Sequence, residues 1–449
     1  MIVYRARWIL PVTSPPVEHG AVAVDAAGRI ALVGPRDGAP RADDVRVLGD
    51  AALLPGLVNA HTHLELTVMR GFLEELPFVE WIGTLTRARR DVLDDAALLD
   101  AARLGIREGL LAGVTTFADT GFSGTPMRAL VESGARGVVF QEVFGPAPGQ
   151  RAESLAGLQA AVARLREIET PLVRVGVSPH AVYSVHEDLI VDVCAWAVAE
   201  GLPIAMHLAE SREEMEFLRE ARGPFAESHR ARGIDVVRRS HSPVHLLVEL
   251  GVTTVARPLL IHCVQLDESD VHFVARDGCP VAHCPASNAK LGHGTAPLVE
   301  LLAAGAVVGL GSDSVASNNR MDLLDEARLA VLAQRARLRR HDALSAAAAL
   351  ELATLGGARA LGLDGRVGSL EVGKDADLAA FPLDEPRGIA AGDVAGALVF
   401  SLAGRPASLV AVAGRELVRD GRVLAPDDGV TDRVAAAAGA LRAWRARPH

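Results

Sequence analysis

Pro55-Gly56-Leu57-Val58-Asn59-Ala60-His61-Thr62-His63 is a short apolar run that ends in two histidines. The Pro-Gly pair punctuates its start, and the run has the length of a buried strand. Residues i and i+2 of a strand face the same side, so the imidazoles of His61 and His63 point into one space. Neutral imidazole is the commonest protein ligand for zinc-like ions. Two histidines at this spacing do not make a metal site; further donors must arrive from elsewhere in the chain.

They arrive at repeated intervals. From Gly56 to Gly362, short apolar runs alternate with Ala/Leu/Arg-rich helical stretches, the pattern of βα units around a parallel sheet. Eight runs end near His63, Asp119, Glu142, His180, His207, His262, Cys284 and Asp313. Eight repeats predict an α/β fold, a (β/α)8 barrel over residues 56–362, with functional residues at the C-terminal strand ends. A carboxylate such as Asp313 at the tip of a buried strand is costly unless paired or bound to metal. His61, His63, His207 and Asp313 leave an open coordination position, as a catalytic metal requires. Glu210, just past His207, is placed to move protons on a substrate held there.

Both flanks read as short strands and turns. Ala21–Val24 and Ile30–Val33 enclose a hairpin-type turn, and Leu378–Phe381, Ser408–Val412 and Glu416–Val418 have the same character. Residues 1–55 and 363–449 are therefore expected to build one small β-sandwich from both termini, followed by a tail helix. The longest interval between strand ends, His207 to His262, contains the polar segment Gly223 to Ser242, read as an insertion over the barrel mouth or a neutral surface loop.

Apolar residues form 49% of the chain and charged residues 23%, enough for a large core. The net charge of −10, with no basic stretch rich in aromatics, argues against nucleic acid as a partner. No apolar run is long enough for a membrane helix and no signal-peptide pattern opens the chain, so a cytoplasmic protein without a membrane partner is expected. Cys194, Cys263, Cys279 and Cys284 form no CxxC pair and read as reduced, mostly buried residues.

These motifs resemble the amidohydrolase superfamily over essentially the whole chain, and its deaminase branch in particular. The resemblance lies in Pro55–His63, His207-Leu208-Ala209-Glu210, His262-Cys263, Cys284-Pro285-Ala286-Ser287-Asn288 followed by Leu291-Gly292 and Gly294, Ser312–Asn319, and Gly368–Leu378. It implies one divalent metal, zinc or iron, held by His61, His63, His207 and Asp313. It implies catalytic roles for Glu210, His262 and Asp313. Hydrolytic deamination of an amino-substituted aromatic heterocycle follows, with release of ammonia. Many binuclear members bridge two metals with a fourth-strand lysine; only Lys290 and Lys374 exist here, and neither is on Val173–His180. Glu142 is left as a bridging candidate or a packing residue.

The substrate side is read from His180, Trp81, Arg90, Ser287 and Asn288; the last two orient the site or cap the next helix. In relatives that deaminate S-adenosylhomocysteine and methylthioadenosine, a glutamate nine residues after the tryptophan reads the ribose hydroxyls; counted from Trp81, that place is Arg90. An arginine suits a carboxylate-bearing substrate, and the long insertion after the fifth strand together with His180 resembles deaminases of aminodeoxyfutalosine, an adenine nucleoside carrying a benzoate. Adenosine, S-adenosylhomocysteine, guanine, pterin, cytosine and chlorotriazine substrates remain alternatives, as does a non-catalytic scaffold barrel. The expected partners are the small-molecule substrate and a second copy of the chain, in a homodimer.

Overall fold

The computed structural model describes residues 1–42, 44–384, 386 and 393–447. Its centre is a ring of eight parallel strands, labelled here β1 (Leu57–Thr62), β2 (Val114–Gly121), β3 (Arg136–Val143), β4 (Val173–Pro179), β5 (Ala205–Leu208), β6 (Leu259–His262), β7 (Val281–His283) and β8 (Val308–Leu310). They are hydrogen-bonded as two four-stranded sheets, β1–β4 and β5–β8. Single bridges join the halves: Thr62 with Asp313 on one side, Val177 with Ile204 and Ala181 with His207 on the other. Each strand ends within a few residues of the position expected from sequence, and helices cover the outside, so the chain is a (β/α)8 barrel.

The closing seam explains two parts of the opening motif. Asn59 Nδ2 donates to Ser312 Oγ at 2.7 Å, and the Ser312 amide donates to Asn59 Oδ1 at 2.9 Å. The Asp313 amide donates to the His61 carbonyl at 2.9 Å. Gly311 is required by this approach, since a Cβ there would lie 2.8 Å from the His61 Cβ.

Strands from both termini form one nine-stranded sheet in which Leu378–Pro382 runs antiparallel to Ala51–Pro55. Arg136, at the base of β3, fastens this sheet to the barrel: its side chain is 2% exposed and reaches Asp375 and Asp377, both at 2.9 Å. The Gly368–Leu378 motif thus supplies the anions for a buried cation, without which the pairing would be costly. Helix Val430–Arg445 closes the chain against the helix Asp95–Leu111. All four cysteines are buried and free. No helix among the described residues is long and apolar enough to cross a membrane.

Candidate active site and metal centre

The C-terminal strand ends surround a cavity of about 550 Å³ lined by His63, His180, His207, Glu210, His262 and Asp313, among others. Some of the backbone strain lies here. Ala209 (φ 52°), His262 (φ 77°), Cys263 (φ 50°) and Asp313 (φ 58°) all adopt left-handed conformations at or just past strand ends. Non-glycine residues take that region at a cost of roughly 1–2 kcal/mol each, and such strain gathers at functional sites.

His61, His63, His207 and Asp313 converge. His61 Nε2 lies 3.1 Å and His63 Nε2 3.5 Å from Asp313 Oδ1, and His207 Nε2 lies 3.3 Å from His63 Nε2. His207 Nδ1 lies 3.2 Å from the His180 carbonyl. Donation to that carbonyl puts the proton on Nδ1 and leaves the Nε2 lone pair facing His63. Burial pushes the His61 imidazole down to about 4 and His207 well below its usual value, so both rings are neutral. Burial acts to raise the Asp313 carboxyl, but His61 and its neighbouring histidines outweigh it and hold the group well below the usual range. Neutral imidazoles and an ionised carboxylate are the donor set a divalent metal takes. Tetrahedral zinc with bonds of about 2.0–2.1 Å separates its ligands by about 3.3 Å, which matches the spacings seen. His61 Nδ1, buried without a partner, is the atom this arrangement leaves unsatisfied. The residues fit one divalent cation.

Glu210 is 5% exposed on the cavity wall. Its Oε1 lies 3.5 Å from His262 Nε2 and 3.4 Å from His293 Nε2. Burial acts to raise its carboxyl, yet the two histidines hold it below its ordinary value. His180 and Trp81 line the cavity, as sequence suggested. His180 Nδ1 pairs with Ser184 Oγ at 2.7 Å, which turns Nε2 outward, and burial drives the ring down to about 3.

Arg90 needs correction, and Ser287 and Asn288 take the orienting rather than the substrate-facing position. Arg90 is not in the cavity: its side chain is 70% exposed and pairs with Asp91 at 3.0 Å. It sits on the helix Phe78–Val92, whose inward face carries Trp81, Leu85 and Arg89. That i, i+4, i+8 series turns Arg90 about 100° away. Ser287 and Asn288 are buried behind the site and outside the cavity lining. Ser287 Oγ donates to Asp313 Oδ2, and Asn288 Oδ1 lies 3.0 Å from His262 Nδ1.

Sequence reading also missed wall residues. His293 and His229, which no sequence motif singles out, are buried at 6% and 5%; His293 faces Glu210 and His229 lines the cavity. The flanking Gly292 and Gly294, both with positive φ, are the signal that could have placed His293 in a shaped turn. Glu65, Arg89, Glu142, Tyr183 and Phe225 line the cavity as well. The polar insertion is not neutral surface. Its helix Gly223–Ala231 roofs the site, with Phe225 stacked on Tyr183 at 4.0 Å between ring centroids.

This fold and donor set are those of a metal-dependent hydrolase of the barrel type. The amidohydrolase family model matches residues 52–417, and the chain belongs to that family. It is 33% identical over 434 residues to the 5-methylthioadenosine/S-adenosylhomocysteine deaminase of Moorella thermoacetica, covering 94% of this chain and 95% of that one. It is 34% identical over 413 residues to the enzyme of the same name from Nitratidesulfovibrio vulgaris, covering 90% and 89%. Among solved structures, a Xanthomonas campestris adenosine deaminase with bound zinc superposes with a TM-score of 0.87 at 29% identity, covering 98% of each chain. The Helicobacter pylori aminofutalosine deaminase shares the fold, with a TM-score of 0.82 at 23% identity over 93% of this chain and 100% of that one. The chain is an enzyme, a hydrolase acting on carbon–nitrogen bonds.

Proposed function

We propose that the protein is a zinc-dependent deaminase of 6-aminopurine nucleosides. The observation that carries this reading is Glu210, a buried carboxylate on the cavity wall beside His262 and the convergent His61, His63, His207 and Asp313. When bound there, a divalent cation supplies Lewis acidity that brings the ionisation of water toward neutral pH.

The chain's own residues then manage protons and position. Glu210 takes one proton of the water that adds to the amino-bearing ring carbon and places it on the adjacent ring nitrogen, so charge does not accumulate there. His262 and Asp313 hold the water, and Asp313 moves the remaining hydroxyl proton of the adduct to the amine; the carbon–nitrogen bond breaks, a carbonyl forms and ammonia leaves. Trp81, Phe225 and Tyr183 exclude water around the ring.

The case for a benzoate-bearing substrate loses Arg90 and keeps only the insertion after β5 and His180. The neighbouring Arg89 is already paired with buried Glu65 at 2.7 Å. Similarity over nine-tenths of the chain to enzymes named for methylthioadenosine and S-adenosylhomocysteine favours those nucleosides over aminodeoxyfutalosine.

Ammonia release from methylthioadenosine, S-adenosylhomocysteine, adenosine, aminodeoxyfutalosine, guanine, cytosine and a chlorotriazine tests the reading. Release from the purine nucleosides is expected; turnover confined to the last three would overturn it. Glu210→Gln is expected to keep its metal and to lose at least about 100-fold in kcat. Near-normal turnover in that variant would place the proton donor elsewhere.

A further inference from the structure

The cavity holds a carboxyl group that no neighbour satisfies. Glu142 ends β3, is 7% exposed and lines the cavity, and its Oε1 is buried without a hydrogen-bond partner. Its nearest hydrogen-bonding neighbours are engaged with other groups, and the Arg89 Nε and the Oγ of cross-strand Ser178, both without partners, do not bond it either. Arg89 gives an amino group to Glu65 at 2.7 Å. His180 Nδ1 pairs with Ser184 Oγ at 2.7 Å, and His207 Nδ1 faces the His180 carbonyl at 3.2 Å. One nitrogen of His180, one of His207 and a Glu142 oxygen lie within 4.8 Å of one another, so the carboxyl stands close to the reaction centre. It stands on the half-barrel β1–β4, whereas Glu210 follows β5 in the other half.

A buried acceptor without a donor is costly to keep, and a bound ligand is one source of a donor. A 6-aminopurine nucleoside has few donors to offer. Its ring nitrogens accept, its exocyclic amine must face the reacting groups, and only the sugar hydroxyls are left. We propose that Glu142 is a specificity-determining residue that accepts a hydrogen bond from a sugar hydroxyl, so that the site selects nucleosides over free bases. This inference rests on the deaminase reading above. The same three residues are also a possible second cation site, and the test separates the two.

Holoenzyme, Glu142→Gln and Glu142→Ala are assayed with adenosine and 2′,3′-dideoxyadenosine, with metal content and Tm measured on each protein. The wild type is expected to favour adenosine in kcat/KM. That preference is expected to fall about 10- to 100-fold in Glu142→Ala, and less in Glu142→Gln, whose amide oxygen still accepts. One metal per chain is expected in all three proteins. An unchanged preference across the three, or no preference in the wild type, overturns the inference while leaving deamination intact. A second metal that vanishes in Glu142→Gln overturns it in favour of a cation site. Deamination of neither nucleoside overturns the functional reading and this inference with it.

Discussion

Asn288 and Ser287 hold His262 and Asp313, and any effect of theirs on the proposed reaction runs through those two groups. His262 has two nitrogens and one job to do with Nε2, which faces Glu210 at 3.5 Å. The 3.0 Å contact of Nδ1 with the Asn288 carbonyl oxygen fixes the proton on Nδ1 and fixes the ring plane. Ser287 and Ser317 likewise donate to Asp313 Oδ2, which leaves Oδ1 for the histidine side of the site. Partners of this kind are worth about 10- to 100-fold in activity or metal affinity when removed. Asn288→Ala is therefore expected to lower kcat by about that factor, with KM and metal content little changed. A rise in KM at constant kcat would instead return Asn288 to the substrate.

At the scale of elements, the helix Phe78–Val92 shows where sequence stops being informative. Counting nine residues from Trp81 selects Arg90, but an uninterrupted α-helix presents every third or fourth residue to one side. Register decides the matter, and register follows from which face meets the barrel, a tertiary fact. The barrel strands were legible because each is a short apolar run with a polar tip. The proposed metal donors were legible because they are those tips, as was the position of Glu142 though not its place in the cavity. The rest of the wall was not: Glu65 falls beside an apolar run like any buried polar residue, and Phe225 and His229 lie in a polar insertion whose docking no periodicity announces. The helix phase is testable by stability. Arg89→Ala removes the ion pair to Glu65, which is 3% exposed and keeps its contacts with Ser123. A loss of roughly 1–3 kcal/mol is expected. Arg90→Ala breaks only an exposed pair and is expected to stay within about 0.5 kcal/mol. Urea unfolding of the two variants checks this, and a larger loss for Arg90→Ala would reverse the assigned face.

For the whole molecule, the proposed metal donors sit where the strand pairing of the barrel is least continuous. Within each half the strands share ladders, shifted in register between β1 and β2, whereas strand pairing between the halves among the described residues is confined to single bridges at Thr62–Asp313, Val177–Ile204 and Ala181–His207. His61 lies in β1 and His63 follows it, His207 lies in β5, and Asp313 follows β8. An ion held by all four would therefore tie both seams at once, so its binding energy would act on barrel closure as well as on chemistry. Binding to the folded state alone adds RT ln(1 + [M]/Kd), about 4 kcal/mol when free metal exceeds Kd by a thousandfold. Chelation is expected to lower Tm by several degrees as well as abolish turnover. Hydrogen exchange locates the effect: amides of Ile204–Leu208 and of Ser312 and Asp313 should lose protection, while those of β2 and β3, inside one half, should change little. Readdition of about one equivalent of zinc per chain should restore Tm, protection and activity together. Uniform loss of protection across all eight strands would mean that the ion stabilises the barrel without acting at its seams. Restoration that requires two equivalents would mean that a second cation belongs to the working site.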